Sequence, residues 1–237
     1  MNIKIDEEEH LILKEMCVMD YQIGSKLYGT STEESDTDIL MVIDQNNWEK
    51  YASDSVDFRS LSLCKYLPNL HPFQYDCEKT NTDYIYATER QFTRSLVTGD
   101  STVFAEALMW GFGYGLQPVE YFRTYKILKG FNGYSKRDIS KIKEHPSTEK
   151  FRQHAIRGLY IQQELLNNRL PDLGGWINHK FQELGKHELS DLQKDFRKIM
   201  NKMVESGDLY DYYVPKSTVS LVGKHLKANN TREFKYP

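Results

Sequence analysis

The chain of 237 residues is 39% hydrophobic and 27% charged, with a mean hydropathy of −0.64. No apolar run approaches the ~20 residues that a membrane helix requires, so the composition excludes a membrane-spanning protein and predicts a soluble one. The formal net charge of −3 combines an acidic half, with 9 Lys and Arg against 21 Asp and Glu in residues 1–120, and a basic half, with 22 against 13 in residues 121–237.

The first part of the chain predicts helix and strand in alternation. Residues 7–16 have apolar side chains at helical spacing and precede a β-like run from Cys17 to Ile23. The continuous apolar run from Asp38 to Asp44 predicts a strand buried on both faces of a sheet. Residues 82–89 alternate as a third strand, and we expect only loop and short elements between the second and third strands.

Helix is predicted almost throughout the rest of the chain. The predicted helices span residues 89–99, 101–111, 118–129, 135–144, 149–168 and 190–205. Ser101 is expected to cap the second of them. Strands followed by helices predict an α+β fold, with an N-terminal α/β domain of residues 1–112 and an all-helical domain of residues 113–237. The boundary falls in the Gly-rich stretch near residues 111–118.

The stretch "GSKLYGTSTEESDTD" lies between the first two predicted strands. Asp36 and Asp38 are two residues apart at the start of a strand, so they project from the same side. Two carboxylates held this close repel each other, and a divalent cation such as Mg²⁺ removes the repulsion. Gly24 and Ser25 suit a strand-to-helix turn whose N–H groups and hydroxyl bind an anion.

Two common motifs do not account for this stretch. "DTDILMVIDQNN" lacks the central glycine and terminal glutamate of an EF-hand loop. "GSKLYGTS" lacks the Gly-Lys-Ser/Thr end of a phosphate-binding P-loop. An isolated Asp-x-Asp is most often a solvated turn, so the prediction of a site depends on the whole arrangement.

Strand, Gly-Ser, spacer, Asp-x-Asp and buried strand together resemble the nucleotidyltransferases of the DNA polymerase beta superfamily. Within it, the chain is similar to the small predicted nucleotidyltransferases of bacteria and tailed phages, for which "GS..YG..T..SD.D" is typical. The matching residues are Gly24, Ser25, Tyr28, Gly29, Thr32, Ser35, Asp36 and Asp38. The resemblance implies a short mixed sheet in the N-terminal domain.

Two further segments resemble the same group. Residues 100–108, "DSTVFAEAL", resemble an "NP…E.L" stretch, and residues 150–166 resemble a helix with Lys, His and Arg at the spacing of Lys150, His154 and Arg157. Those three side chains fall at i, i+4 and i+7 on one helix face. The face is predicted to bind triphosphate or acceptor, or else to be a solvated or salt-bridged surface.

The resemblance also implies a third carboxylate from a later strand. Asp83 is the best candidate because it starts an alternating run that leads into a helix, and Asp76 is the nearest rival. Asp83 would ligate the acceptor-side metal and accept the hydroxyl proton, or else it is an N-cap or strand-edge aspartate.

The implied reaction moves a nucleoside monophosphate from an NTP to an acceptor hydroxyl and releases pyrophosphate. Two Mg²⁺ or Mn²⁺ ions about 4 Å apart would stabilise the entering and leaving oxygens. The expected catalytic and metal-ligating residues are Asp36, Asp38 and Asp83, and the expected nucleotide-binding residues are Gly24, Ser25, Lys150, His154 and Arg157. Lys26 is expected to be a solvated helix residue. The active site is expected in a cleft between the two domains.

The acceptor stays open between RNA or a tRNA end, a protein and a small molecule. The acidic and basic halves suggest cations and phosphates as partners, or are merely solvated faces. A non-catalytic nucleotide-binding or antitoxin-like protein that retains the fold is the alternative from another class, although intact paired aspartates argue against it. The sequence does not predict an oligomeric state.

The chain opening shows no secretion or transit signal, and the three cysteines form no C-x-x-C pair. A cytoplasmic protein with free thiols is therefore expected. Trp48, Trp110 and Trp176 either stack on a base or belong to the core, and the core is favoured. The basic tail "GKHLKANNTREFKYP" is either a frayed terminus or a contact with nucleic acid.

Overall fold

The computed structural model describes residues 3–29, 31, 33–54, 73–99, 102–111, 119, 122–146, 149–172, 179 and 182–209. Across these ranges it contains helices and one small mixed sheet, which confirms the α+β class. No helix in them is long and apolar enough to cross a membrane.

The described residues form two compact units. The sheet unit contains residues 3–26, 33–54 and 73–94, and the helical unit contains the described residues of 27–32 and of 95–209. The predicted domain boundary at residues 112 and 113 lies outside the described residues, so it stays a prediction. The expected cleft site between two domains also stays a prediction.

In the described ranges up to residue 98, strands and helices alternate, except that β4 and β5 are consecutive strands. The elements are β1 (Ile3–Lys4), α1 (Glu7–Glu15), β2 (Cys17–Ile23), α2 (Gly24–Leu27), β3 (Thr37–Ile43), α3 (Gln45–Asp54), β4 (Phe73–Cys77), β5 (Thr82–Thr88) and α4 (Glu89–Thr98). The three predicted strands and the helices beginning near residues 7 and 89 are confirmed. A capping box at Asp6 and Glu9 starts α1, because each side chain accepts a hydrogen bond from the other's backbone N–H.

The five strands lie in the order β1-β4-β5-β3-β2. β3 pairs in parallel with β5, while β2 with β3 and β4 with β5 pair antiparallel. β1, β4 and α3 were not predicted, and the expectation of only loop and short elements between the second and third predicted strands was wrong for the ten-residue α3. β1 has only two residues, and the polar β4 "FQYDC" has no continuous apolar run to mark it.

The two faces of the sheet carry different side chains where β3 and β5 begin, with apolar side chains on one face and aspartates on the other. Met41 of β3 is in register with Tyr86 of β5, and both pack against α1 and α3 in an apolar cluster. This cluster consists of Leu13, Met41, Ile43, Trp48 and Tyr86. Because side chains alternate along a strand, Asp38 and Asp83 project from the opposite face.

The helical unit contains three long helices that pack side by side. After α5 (Thr102–Gly111) come α6 (Tyr125–Glu144), α7 (Glu149–Leu166) and α8 (Leu189–Glu205). A buried amide network links the three, since Asn132 of α6 donates to Gln162 of α7 and accepts from Gln193 of α8, at 3.2 and 2.6 Å. Such a network fixes the relative register of the helices because an unmade bond would leave a buried polar group unpaired.

The prediction of a break between helices at residues 118–129 and 135–144 was wrong. A single helix, α6, begins after Thr124, whose hydroxyl accepts from the Ile127 N–H, and continues through the glycines of "GFNGY". Gly130 is required by packing, because a Cβ there would lie 2.6 Å from the Gly99 carbonyl oxygen. A close backbone approach, rather than a helix end, explains this glycine.

Candidate metal centre and the predicted site residues

The structure brings the three predicted carboxylates together. One oxygen from each of Asp36, Asp38 and Asp83 lies within 4.8 Å of the other two, and all three residues are partly buried. Within the described residues, this is the one group of His, Cys, Asp and Glu side chains arranged to hold a metal ion.

Strand register accounts for this arrangement. Asp38 and Asp83 are directly paired across the parallel β3 and β5. The Thr37 N–H donates to the carbonyl of Asn81 at 2.9 Å, which fixes the start of β3 beside the turn that precedes β5. Asp36 lies two residues before Asp38, so the alternation of an extended chain puts it on the same side.

Gly24 packs directly against Asp38. It has a positive φ of 73°, and a Cβ added there would collide with the Asp38 carboxylate. Ile23 pairs with Asp38 across β2 and β3, so the chain turns into α2 immediately beside the carboxylate. The predicted strand-to-helix turn at Gly24 and Ser25 is confirmed, and it adjoins the acidic cluster.

Asp76, the rival third carboxylate, has a different partner. It pairs in register with Asp83 across β4 and β5, but its carboxylate binds the Lys4 ammonium at 2.5 Å and also accepts from the Gln74 amide. The hydrogen bond and charge of Asp76 raise the pKa of Lys4, and the charge of Asp83 adds a smaller effect. Asp76 is thus paired with a cation beside the cluster.

The three carboxylates fit a hard divalent cation. Oxygen donors are the ligands that Mg²⁺ and Mn²⁺ prefer, and one or two carboxylates plus phosphate oxygens are a usual set for Mg²⁺. Three like charges this close are unfavourable without a cation. Lys26, which was expected to be solvated, is exposed and donates to the Thr37 hydroxyl at 2.6 Å.

The sequence matches no protein-family model and shows no significant match to a curated protein. The assignment of a candidate metal site therefore depends on the convergence of Asp36, Asp38 and Asp83 beside Gly24, and the resemblance to nucleotidyltransferases stays a hypothesis.

Gly24→Ala is expected to lower Mn²⁺ affinity by about tenfold or more, because the new methyl group displaces the Asp38 carboxylate and groups that orient metal ligands contribute 10 to 100-fold. Isothermal titration with Mn²⁺ measures this. Gly29→Ala is the matched control: Gly29 also has a positive φ of 63°, but a Cβ there meets no atom within 4 Å. Equal affinity losses in the two variants would contradict the packing argument.

The three predicted basic side chains of α7 become less exposed along the helix, from Lys150 to Arg157. Lys150 is exposed, the His154 side chain is 24% exposed and that of Arg157 is 9% exposed. Their common helix face therefore lies partly inside the unit. Their roles in nucleotide binding stay predictions.

Arg157 belongs to a buried cluster of charged and aromatic groups. Its guanidinium lies 4.2 Å from the centre of the Tyr28 ring, donates to the Tyr134 hydroxyl and approaches Glu106 at 3.9 Å. The Tyr28 hydroxyl donates to Glu106. Burial raises the pKa of the Glu106 carboxyl, while Arg157 and Tyr28 oppose that rise.

Glu106 and Asp138 were not singled out from the sequence. Glu106 is the glutamate of the segment that resembles "NP…E.L", which is the signal that could have identified it. Asp138 is fully buried, binds Arg137 at 3.0 Å and lies 3.7 Å from His154. No sequence motif marks Asp138, because its contact with His154 is made to a different helix.

Burial lowers the pKa of His154 to about 4, and the positive charges of Arg157, Lys150 and Arg137 act in the same direction while Asp138 opposes them. The unfolded chain takes up this proton near the ordinary pKa of 6.5, so stability is present above that pH and is lost as the pH falls towards 4. At 1.36 kcal/mol per pKa unit, the loss is at most about 3 kcal/mol.

Urea unfolding of the wild type and of His154→Gln between pH 4 and 8 measures this dependence. The variant should lose less stability than the wild type over pH 6.5 to 4. Identical pH profiles would show that another group controls the acid sensitivity.

The remaining predicted aromatic and basic features are only partly described. Trp48 is 1% exposed in the apolar cluster of the sheet unit, so it belongs to the core as favoured. The side chain of Trp110, all of Trp176, Ser101 and the basic tail lie outside the described residues.

Proposed function

We propose that the protein is a metal-dependent nucleotidyltransferase that moves a nucleoside monophosphate from an NTP to an acceptor hydroxyl. The observation that carries the proposal is the convergence of Asp36, Asp38 and Asp83 beside the Gly24 turn. An anion-binding turn and an oxygen-donor metal site within one small region suit a metal-bound triphosphate.

Each residue of the site has a proposed task. Asp36 and Asp38 hold the divalent cations, and Asp83 completes the acceptor side and accepts the proton of the attacking hydroxyl. Bound Mg²⁺ or Mn²⁺ would neutralise charge on the entering and leaving oxygens. Gly24 leaves room for the Asp38 carboxylate, and the Ser25 hydroxyl binds the triphosphate.

The test is incubation of the full chain with each α-labelled NTP, Mg²⁺ or Mn²⁺, and RNA, tRNA or protein acceptors. Label should transfer to one acceptor class with one pyrophosphate released per nucleotide. Chelation with EDTA should stop both. If no acceptor gains label and pyrophosphate never appears under any of these conditions, the proposal fails.

A further inference from the structure

One side of α6 carries lysines at a regular helical spacing. Lys126, Lys129, Lys136 and Lys143 follow one another by three, seven and seven residues, and we call these four side chains the lysine stripe. The last three are exposed and the first is half-buried. At 1.5 Å per residue, the stripe is roughly 25 Å long, enough to follow several nucleotides of an extended strand.

The charge on this side of α6 is not balanced by the helix itself. α6 contains six basic and two acidic residues; of the acidic ones, Asp138 is fully buried and Glu144 is the last residue of the helix. Within the described part of the chain, Lys136 and Lys143 form no ion pair. Lys194 and Lys198 of α8, by contrast, bind Asp191 and Asp195 at 3.0 and 2.9 Å.

A cavity of about 400 Å³ opens on α6, and two residues of its wall, Gly130 and Gly133, lie one helical turn after Lys126 and Lys129 of the lysine stripe. Its wall on α6 is formed by Gly130, Gly133, Tyr134 and Arg137, and Gly99 and the first residues of α5 form the other side. Gly133 exposes helix backbone, whereas Gly130 packs against Gly99. The Arg137 guanidinium lies 4.5 Å from the centre of the Tyr134 ring. The cavity is within the size range of small-molecule pockets. Because the Arg137 guanidinium covers one face of the Tyr134 ring and its side chain is 55% exposed, the guanidinium is the plane that a base would meet.

We propose that this surface binds single-stranded RNA, with phosphates on the lysine stripe and an unstacked base in the cavity. Phosphate contacts from lysines supply affinity without sequence preference. Unstacked bases that pack on aromatic rings or guanidinium planes are the usual mode of recognising single-stranded RNA, whereas the bases of a duplex are stacked and paired. RNA binding by this surface does not require the proposed reaction. The assignment of RNA as the acceptor of the transferred nucleotide, however, rests on the proposed function.

Fluorescence anisotropy with a labelled single-stranded 12-nucleotide RNA, in EDTA and without NTP, tests the surface. The variant Lys129→Glu/Lys136→Glu/Lys143→Glu should bind at least tenfold more weakly. The slope of log K against log salt should become shallower by about 2, since each lost phosphate contact removes roughly 0.7 on a single strand.

The matched control is Lys194→Glu/Lys198→Glu/Lys202→Glu on α8, which changes the net charge by the same amount. This control should retain wild-type affinity within about threefold. Equal losses in both triple variants would assign binding to overall charge and overturn the proposal.

The cavity is tested separately at Gly133, where an added Cβ meets no atom within 4 Å. Gly133→Phe should weaken binding by about tenfold, a change within the 1–3 kcal/mol that one stacked base contributes. Gly133→Ala should bind like the wild type. Equal affinity for duplex RNA, for DNA of the same sequence or for polyglutamate would overturn the assignment to single-stranded RNA.

The two proposals fail in different ways. RNA binding is measured in EDTA and without NTP, so this measurement does not depend on an occupied metal site. If the stripe variant loses RNA binding while no nucleotide is ever transferred, the proposed RNA-binding surface is supported and the proposed nucleotidyltransferase activity is wrong. If transfer to RNA occurs with an unchanged KM for RNA in the stripe variant, the RNA surface is wrong and the enzyme stands.

Discussion

Asp36→Asn or Asp38→Asn is expected to reduce nucleotide transfer by about 10³-fold or more. A neutral amide is a weaker ligand than a carboxylate, and bound metal ions supply several kcal/mol of transition-state stabilisation, at tenfold per 1.36 kcal/mol. The measurement is the initial rate of pyrophosphate release at saturating NTP and Mn²⁺. Activity that survives in both variants would remove the metal assignment.

The same two substitutions should leave the fold intact. In EDTA each variant should melt at the wild-type temperature or slightly above it, because one of three mutually repelling charges is gone. Mn²⁺ should raise the melting temperature of the wild type by mass action, and should raise that of the variants much less. Loss of activity with a lowered melting temperature in EDTA would indicate general damage instead of lost metal ligation.

Asp76→Asn is the matched control for Asp83→Asn. Asp76 and Asp83 are neighbours in register, but Asp76 binds Lys4 and lies outside the group of three converging carboxylates. We expect Asp83→Asn to resemble the two variants above and Asp76→Asn to retain activity within a few-fold. A reversed order of effects would make Asp76 the third carboxylate.

Local alternation predicted Asp36 and Asp38, and the alternating run that begins at Asp83 favoured it over Asp76, but the physical reason that Asp76 stays outside the cluster is visible only in the sheet. Both side chains lie in one cross-strand row, so strand periodicity alone cannot separate them. The contact with Lys4 distinguishes Asp76 from Asp83, and Lys4 is 72 residues away from Asp76 in sequence. β1, which carries Lys4, is too short to be predicted from its two residues.

The helical unit shows a similar limit. Glycine is unfavourable inside a helix by about 1 kcal/mol relative to alanine, so "GFNGY" predicted an interruption. The Gly99 carbonyl packs where a Gly130 side chain would be, and tertiary packing overrides that propensity. The sequence predicted that Lys150, His154 and Arg157 share one helix face. It did not predict that part of this face is buried beside Glu106 and Asp138, because these two residues lie on other helices.

Glu106→Gln is expected to destabilise the helical unit by about 3–5 kcal/mol. The side chains of Glu106 and Arg157 are 3% and 9% exposed, so the substitution leaves a buried guanidinium without a counter-charge. Arginine does not lose its proton in proteins, so the penalty cannot be relieved by titration. Urea unfolding monitored by circular dichroism measures the change, and Tyr28→Phe, which removes one hydrogen bond, should cost about 1 kcal/mol.

Arg157→Met removes the guanidinium of the same pair and leaves the carboxylate. We expect the stability of this variant to depend on pH in a way that the stability of Glu106→Gln does not. The buried Glu106 that remains can take up a proton, and its pKa is already raised by burial. A raised folded pKa means that stability is present at low pH and is lost as the pH rises. Relative to the wild type at each pH, Arg157→Met should therefore recover on acidification from pH 8 to 5, whereas Glu106→Gln should not.

The double variant Glu106→Gln/Arg157→Met completes the cycle. Removing both charges replaces a buried ion pair by neutral groups of similar size, which is often close to neutral for stability, so the double variant should be more stable than Glu106→Gln. Additive losses would mean that the two side chains do not interact across 3.9 Å.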